Sequence, residues 1–481
     1  MNRLPKTAIV FAGPLMLAGC ASLKLPAADP ALNPANVVIP SRFAFAPDLA
    51  AQDRNNVEAL LPAGDPAFAE LRSMALGNGP DNAPNLAAAL ARVDAARALA
   101  AGASAGRLPY VGVNSNIGAS RTNPSSIGGA LPPGISIDRY RTSFGGNITA
   151  SWDPDIFKQL RNSERAASIR VTAAAADAAA VRQSLIAEIA GNVTDWRTLS
   201  AREAILNKDI ATAQELLRLT RVRVKAGLSP GFDSVQAESL LLQAQAQSTP
   251  LLGERARIIG ALVTLTGKPA TQVMQSLENA AIIQDVGAAS MVAASVPAAM
   301  LRARPDVAAA EARLAAADAD IAVAAAARFP KLTLSGTLGL LAFALGDIFS
   351  ADTVIGTLGS GIAAPLLDFG RIEAEIDGSK ARAKEAFANY RSAVFTALGD
   401  AETAYGQTAA SRSEITALER QRSVEKDAVY LAGIRYKGGL NDFRTVLNAQ
   451  RQLNALNANI ETIKGRHARA RIALWLALGG S

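Results

Sequence analysis

The sequence predicts a mainly α-helical chain that carries four extended strands and is built as an internal duplication. Three observations carry this expectation. The stretch from Ile156 to about Val224 contains no proline and one glycine, Gly191. It is dominated by Ala, Arg, Glu, Gln and Leu, residues that lose little on entering a helix. A second stretch of this kind runs from about Arg371 to Ile434. Both break at matching tips: Arg223, Lys225, Gly227 and Leu228 correspond in one register to Arg435, Lys437, Gly439 and Leu440. A repeat on this scale sets the architecture before any motif is read.

Within the first long helix Leu185, Ile189, Val193, Trp196 and Leu199 recur at three- and four-residue steps, the spacing of an apolar stripe. At about 1.5 Å per residue each long helix would be on the order of 100 Å long, more than a globular domain needs. After the tips, return helices are expected from Asp233 and Phe443, ending near Leu265 and Leu476. Glycine at Gly227, Gly438 and Gly439 permits the positive-φ turn between antiparallel helices.

Each repeat also opens with a bounded helix. Pro84–Arg92 lies above Pro305–Arg313 without a gap, and the register continues to Arg107-Leu-Pro109 and Arg328-Phe-Pro330. Proline at a helix start sacrifices no intrahelical donor, and the second proline stops the helix about 25 residues later. Beyond each stop the chain is extended: Tyr110–Arg121 and Arg139–Trp152 in the first repeat, Lys331–Leu341 and about Thr353–Leu367 in the second. Thr, Ser, Gly and Asn alternate there with apolar residues. Tilted strands of about 11 residues cross a bilayer's hydrocarbon; four strands of a soluble sheet are the alternative. Four strands cannot close a membrane barrel, because its edges would leave backbone groups unsatisfied in lipid. A spanning structure therefore needs several chains to pool their strands.

Along the chain this gives a signal peptide at 1–19, a lead-in segment with short helices at 20–83, repeat 1 at 84–265, an irregular linker at 266–303, repeat 2 at 304–476 and a tail at 477–481. The linker contains Pro269 and Pro297. Aromatics make up 5% of the 481 residues while hydrophobic residues make up 49%, so alanine carries much of the apolar content and helices pack closely. The net charge of +7 is interleaved with acidic residues along the helices, the pattern of solvated faces, and argues against nucleic-acid binding. One cysteine, Cys20, and one histidine, His467, exclude an internal disulfide and any His/Cys metal cluster. No cofactor is implied. His467 lies in a polar helical stretch and is expected at the surface. Gly227-Leu-Ser229-Pro-Gly231 fits the nucleophile-elbow pattern, but no strand precedes it and its repeat partner carries Asn441, so it is turn composition and no enzyme is expected.

The first 20 residues carry Arg3 and Lys6, then an apolar run too short to span a bilayer. The ending Leu17-Ala18-Gly19-Cys20 resembles the bacterial lipobox, in which the cysteine is acylated, as with palmitate, and becomes the mature N-terminus. Ala21 follows it, and the resemblance points to the outer membrane. An ordinary signal peptide with a chance cysteine is the alternative.

The ordered set of these features resembles the outer membrane efflux protein (TolC) family, in particular the lipoprotein branch attached to resistance-nodulation-division (RND) pumps. The matching residues are the lipobox, Arg304-Pro305-Asp306-Val307, Ala327-Arg-Phe-Pro330, Trp152–Phe157, Asp368-Phe-Gly-Arg371 and both Arg-x-Lys-x-Gly-Leu tips. The resemblance covers nearly the whole chain. It implies a homotrimer whose twelve pooled strands close one β-barrel in the outer membrane of a Gram-negative bacterium, above a long coiled-coil α-barrel in the periplasm. It implies loops 122–138 and 342–352 facing outside, and tips meeting a periplasmic adaptor (membrane fusion) protein and an inner-membrane RND-type pump. Function is then a passive exit duct for small molecules such as drugs and toxic compounds. A duct for type I protein secretion and a structural envelope lipoprotein without transport are the rivals.

On this reading Arg223 and Arg435 brace a closed entrance, while Gly227-Leu228 and Gly438-Gly439-Leu440 meet the adaptor. The family commonly has Leu-Asp-Ala-Gln after the second tip, where this chain has Leu447-Asn448-Ala449-Gln450. A ring of aspartates would attract cations. Asn448 removes that charge, Arg444 adds positive charge one turn earlier, and Asp442 is a partial replacement, so a weaker cation preference than is typical of the family is expected.

Overall fold

The computed structural model describes residues 29–46, 57–77, 83–121, 140–278 and 296–480. Cys20 and loop 122–138 lie outside the described residues. In chain order the elements are α1 (Pro66–Leu76), α2 (Pro84–Ala105), β1 (Tyr110–Arg121), β2 (Tyr140–Trp152), α3 (Gln159–Lys225), α4 (Gly231–Ala246), α5 (Thr249–Thr266), α6 (Ala270–Glu278), α7 (Pro297–Ala303), α8 (Pro305–Ala326), β3 (Lys331–Ala342), β4 (Val354–Ala363), α9 (Arg371–Lys437) and α10 (Phe443–Ala477). The order from α2 to α5 is therefore run again from α8 to α10. The described residues divide into two compact units, one holding 29–36, 94–121, 140–172 and 312–388, the other 37–46, 57–77, 83–93, 173–278, 296–311 and 389–480.

The first unit holds the sheet, an antiparallel meander in the order β1-β2-β3-β4. Because side chains alternate along a strand, the register sorts them by face. Val113 opposes Ile148, which opposes Leu338; Ile117 opposes Phe144; Leu332 opposes Ile362. These share one face. On the other, Asn114 opposes Asn147, Thr149 opposes Thr337, which opposes Thr357, and Ser151 opposes Ser335. One face is thus apolar and the other polar. The apolar face is uncovered: Val113 and Ile117 are each 77% exposed and Leu358 92%. Among the described residues neither the outer edge of β1 nor that of β4 is paired. Phe157, just before α3, stacks on Phe329, just before β3, with centroids 4.7 Å apart. Arg170 pairs with Asp320, and Arg328 with Glu373.

The second unit holds the helical core. Leu185, Ile189, Val193, Trp196 and Leu199 of α3 are all buried, as are Ile460, Ile463 and Leu474 of α10. Gly465 lets α10 approach α3 closely, since a Cβ there would sit 2.6 Å from the Thr198 hydroxyl. Asp65 caps α1 through the Ala67 amide and accepts from Arg197 Nε at 2.8 Å and Nη2 at 3.0 Å, while Arg197 Nη1 donates to the Leu277 carbonyl. The pair locks α1 and α6 onto α3. Arg304, also buried, joins Asp306 and Asp400 and donates to the Ala477 carbonyl.

Four expectations require correction. The described part of the linker is not irregular but forms α6 and α7. Pro269 and Pro297 stand at the starts of these helices, where a missing N–H costs nothing, and α6 buries Val273 and Leu277. The first return helix begins at Gly231 instead of Asp233 and is interrupted at Gln247-Ser248, two residues before Pro250, whose ring cannot continue the ladder. His467 is buried instead of exposed, with Nδ1 2.9 Å from the Ser411 hydroxyl. Gly438 does not adopt positive φ; only Gly227 (73°) and Gly439 (72°) do so at the tips.

Candidate functional site

The two tips lie in the second unit and close in the same way. At the end of α3, Leu228 N donates to Arg223 O at 2.9 Å and Gly227 N to Val224 O at 3.0 Å. At the end of α9, Leu440 N donates to Arg435 O at 2.8 Å and Gly439 N to Tyr436 O at 3.0 Å. Each is a Schellman motif, with glycine at the left-handed position and leucine after it. The matched Arg-x-Lys-x-Gly-Leu pattern is therefore a helix stop written twice. Leu228 and Leu440 project from these stops and are 67% and 73% exposed. Lys225 and Lys437 occupy the last turns, where cations favour the helix dipole.

The arginine side chains part company. Arg223 lies 4.7 Å above the Tyr436 ring, and its Nε donates to the Ser229 hydroxyl at 3.3 Å. Ser229 Oγ in turn lies 3.4 Å from the Tyr436 hydroxyl. These three side chains join the first tip to the second. Arg435 is exposed and contributes its carbonyl to the turn. Tyr436 packs against Phe443, which with Leu447, Leu217 and Leu240 forms the small apolar cluster behind the tips.

Beyond the second tip Asp442 caps α10, accepting from Thr445 N at 3.1 Å and from Thr445 Oγ1 at 3.0 Å. Its counterpart before α4 is Pro230, which offers no side-chain cap. Arg444 and Asn448 are exposed one helical turn apart on α10, flanking buried Val446 and Leu447. Further along, a cavity of about 570 Å³ opens between α3, α4, α5 and α10, and burial pushes the Asp209 carboxyl at its wall up to about 6. Sequence reasoning overlooked Tyr436, Ser229 as its partner, and Asp209.

The Ser229 hydroxyl serves the tip and is not aligned with a base; His467 bonds Ser411 instead. Burial first, then Arg471 and Arg412, lower the imidazole pKa below its ordinary 6.5. Among the described residues no group of three His, Cys, Asp or Glu side chains is arranged to hold a metal, and no helix is long and apolar enough to cross a membrane.

The sequence matches the outer membrane efflux protein family over residues 76–268 and 296–480. The chain is 31% identical over 419 residues to the pyoverdine export outer membrane protein OpmQ of Pseudomonas aeruginosa, covering 87% of this chain and 86% of that one. It is 30% identical over 420 residues to the toluene efflux pump outer membrane protein TtgF of Pseudomonas putida, covering 86% and 84%. Its fold superposes on that of the outer-membrane channel OprN with a TM-score of 0.80 at 26% identity, covering 95% and 99%.

Proposed function

Because the chain belongs to the outer membrane efflux protein family, a family of non-catalytic conduits, it is an outer-membrane channel component of a bacterial efflux or export system, and we propose that it works as a lipid-anchored trimeric duct for small molecules. The fold is that of the family's trimers, in which pooled strands close a twelve-stranded barrel in the outer membrane above a periplasmic helical domain. The observation that carries the reading is the sheet with one apolar face, one polar face and two open edges. In lipid such edges require pairing, and a closed barrel supplies it. The apolar face then meets acyl chains and the polar face lines a wet pore.

The finer parts of the proposal rest on sequence. Cys20 carries the lipid, after removal of residues 1–19, and residues 20–83 lead into repeats 84–265 and 304–476. The tips face an RND-type pump through a periplasmic adaptor, and Leu228 and Leu440 are the exposed apolar contacts. Relatives that export pyoverdine and toluene favour small molecules over proteins as cargo. The pump supplies the energy and most of the selection, and the duct opens when the adaptor favours its open state.

Accumulation of a fluorescent dye in cells with and without this gene tests the proposal. Greater accumulation in the deletion, reversed by the wild-type gene, supports small-molecule efflux. Unchanged accumulation together with missing secreted proteins moves the duct to type I secretion.

A further inference from the structure

Charge is distributed over the sheet in a way that a membrane barrel does not require. The chain carries 42 Asp and Glu, yet none falls in β1, β2, β3 or β4. The strands hold three charged side chains, Arg121, Arg141 and Lys331, and all are basic. Lipid excludes charge from the apolar face, but a wet face tolerates either sign. The missing acids on the polar face are therefore not imposed by the bilayer.

The register places the three cations. Arg141 opposes Ser120 and shares the polar face with Asn114, Asn147 and Thr149. Lys331 opposes Ala363 on that same face, below Thr333, Ser335 and Thr337. Arg121 opposes Tyr140 on the other face, with Val113, Ile117 and Ile148. Arg141 and Lys331 mark opposite ends of strands of 13 and 12 residues, so on the order of 40 Å separates them at about 3.3 Å per residue. Neutral hydroxyl and amide side chains lie between. The Arg141 guanidinium is held at the rim, 3.5 Å from the centroid of the Phe343 ring, and both side chains remain exposed. Two exposed acids, Asp347 and Asp352, belong to the β3–β4 loop beyond the sheet.

Resting on the trimeric barrel above, we propose that the outer-membrane section of the duct favours organic anions carrying several carboxylate or phosphate groups. Three Arg141 guanidinium groups ring its outer mouth and three Lys331 ammonium groups ring its periplasmic end. Rings of Arg or Lys serve anion and phosphate pores. Exposed charges are screened beyond about 8 Å at physiological ionic strength, so each ring acts on solutes that touch it and holds a multivalent anion far better than chloride. Guanidinium groups also meet carboxylate and phosphate with two parallel hydrogen bonds, a geometry that a monatomic ion cannot use. The preference therefore shows with multivalent organic anions and not with KCl.

Block of full-length channels in a planar bilayer tests the proposal. Inositol hexakisphosphate is the anion and spermine the cation, each added on the side of the strand loops. Hexakisphosphate is expected to interrupt the current at voltages that draw anions inward, and spermine at the opposite voltage is not. Arg141→Gln should weaken the block roughly tenfold, the loss of three exposed ion pairs, and adding Lys331→Gln should weaken what remains. Arg121→Gln removes the same charge at the same end from the apolar face and should leave the block unchanged. Ser120→Glu places a carboxylate directly opposite Arg141 and should weaken the block with Arg141 still present, so the test does not depend on one variant assembling. An unblocked wild-type channel, equal block by spermine, equal losses in Arg121→Gln and Arg141→Gln, or a block that Arg141→Gln and Ser120→Glu leave intact overturns the anion preference. Wild-type protein that forms no channels overturns the duct reading itself.

Discussion

The guanidinium of Arg223 sits 4.7 Å above the ring of Tyr436, so the end of the first long helix is held to the end of the second. Such a contact contributes roughly 0.5–2 kcal/mol, more as it is desolvated. If the tips close the duct, Arg223→Ala should raise the open probability of reconstituted channels by roughly two- to thirtyfold, the factor that about 0.5–2 kcal/mol represents. Tyr436→Ala should do the same, and Tyr436→Phe, which keeps the ring, should do less. Single-channel recording decides; wild-type openings in Arg223→Ala would remove this contact from the closure.

Arg435 gives a sharper contrast than its sequence match with Arg223 suggests. Its side chain is exposed and its carbonyl, not its charge, closes the turn. Arg435→Ala should leave the stability of the chain within about 0.5 kcal/mol of wild type, the usual range for surface substitutions. A conductance change in Arg435→Glu without a stability change would place its partner on a neighbouring copy.

The elements were legible where local chemistry punctuates the chain. Pro109 and Pro330 stop α2 and α8, the tip glycines stop α3 and α9, and β1 begins and ends where its alternation does. Partners far apart in sequence stayed hidden. The buried stripe of α10 runs Ile460, Ile463, His467, Arg471, Leu474; its histidine reads as solvent-facing until Ser411 is seen to receive it, and Arg471 beside it donates to the Ala59 carbonyl. The tips were readable as turns for the same local reason, whereas the Arg223–Ser229–Tyr436 bridge depends on bringing α3 beside α9. Prolines in the linker misled because a helix start and a loop interior use the same residue.

The Arg197–Asp65 pair should be one of the strongest single points of stability in the helical unit. Their side chains are 9% and 8% exposed, and Asp65 also caps α1. Breaking a buried pair from one side costs about 3–5 kcal/mol because the other charge is left stranded. Arg197→Met should therefore lower the urea midpoint clearly and expose Arg72 on α1 to trypsin. The double variant with Asp65→Asn should recover part of the loss. A wild-type midpoint in Arg197→Met would mean that α1 is held mainly by Phe68 and Leu71.

Buried His467 and half-buried Asp209 should give opposite pH responses. The folded-state pKa of His467 is lowered, so the unfolded chain binds more protons as pH falls below 6.5, and its contribution to stability is lost on acidification. His467→Asn should flatten that loss, seen as melting temperatures at pH 7.5 and 5. Asp209 behaves in reverse. Its carboxyl is raised from 3.8 to about 6, so the folded chain binds more protons in that window and stability falls as pH rises through it. Asp209→Asn should therefore stabilise the chain at pH 7.5 and have little effect at pH 4, with solvent screening keeping the gain to about 1 kcal/mol.

The entrance beyond the second tip should show weak charge selection. Asn448 and Arg444 are exposed on one face of α10, and the Asp442 carboxylate already accepts from Thr445 N and Oγ1, so its direction is set by capping rather than by the lumen. A ring of carboxylates selects cations in a pore, and here a trimer would present three amides with three guanidinium groups one turn away. The reversal potential across a bilayer with a KCl gradient should accordingly lie near zero. Asn448→Asp should move it towards the potassium potential, and Arg444→Gln should move it the same way by removing the opposing charge. A strongly cation-selective wild-type duct would place the controlling carboxylates elsewhere along the pore.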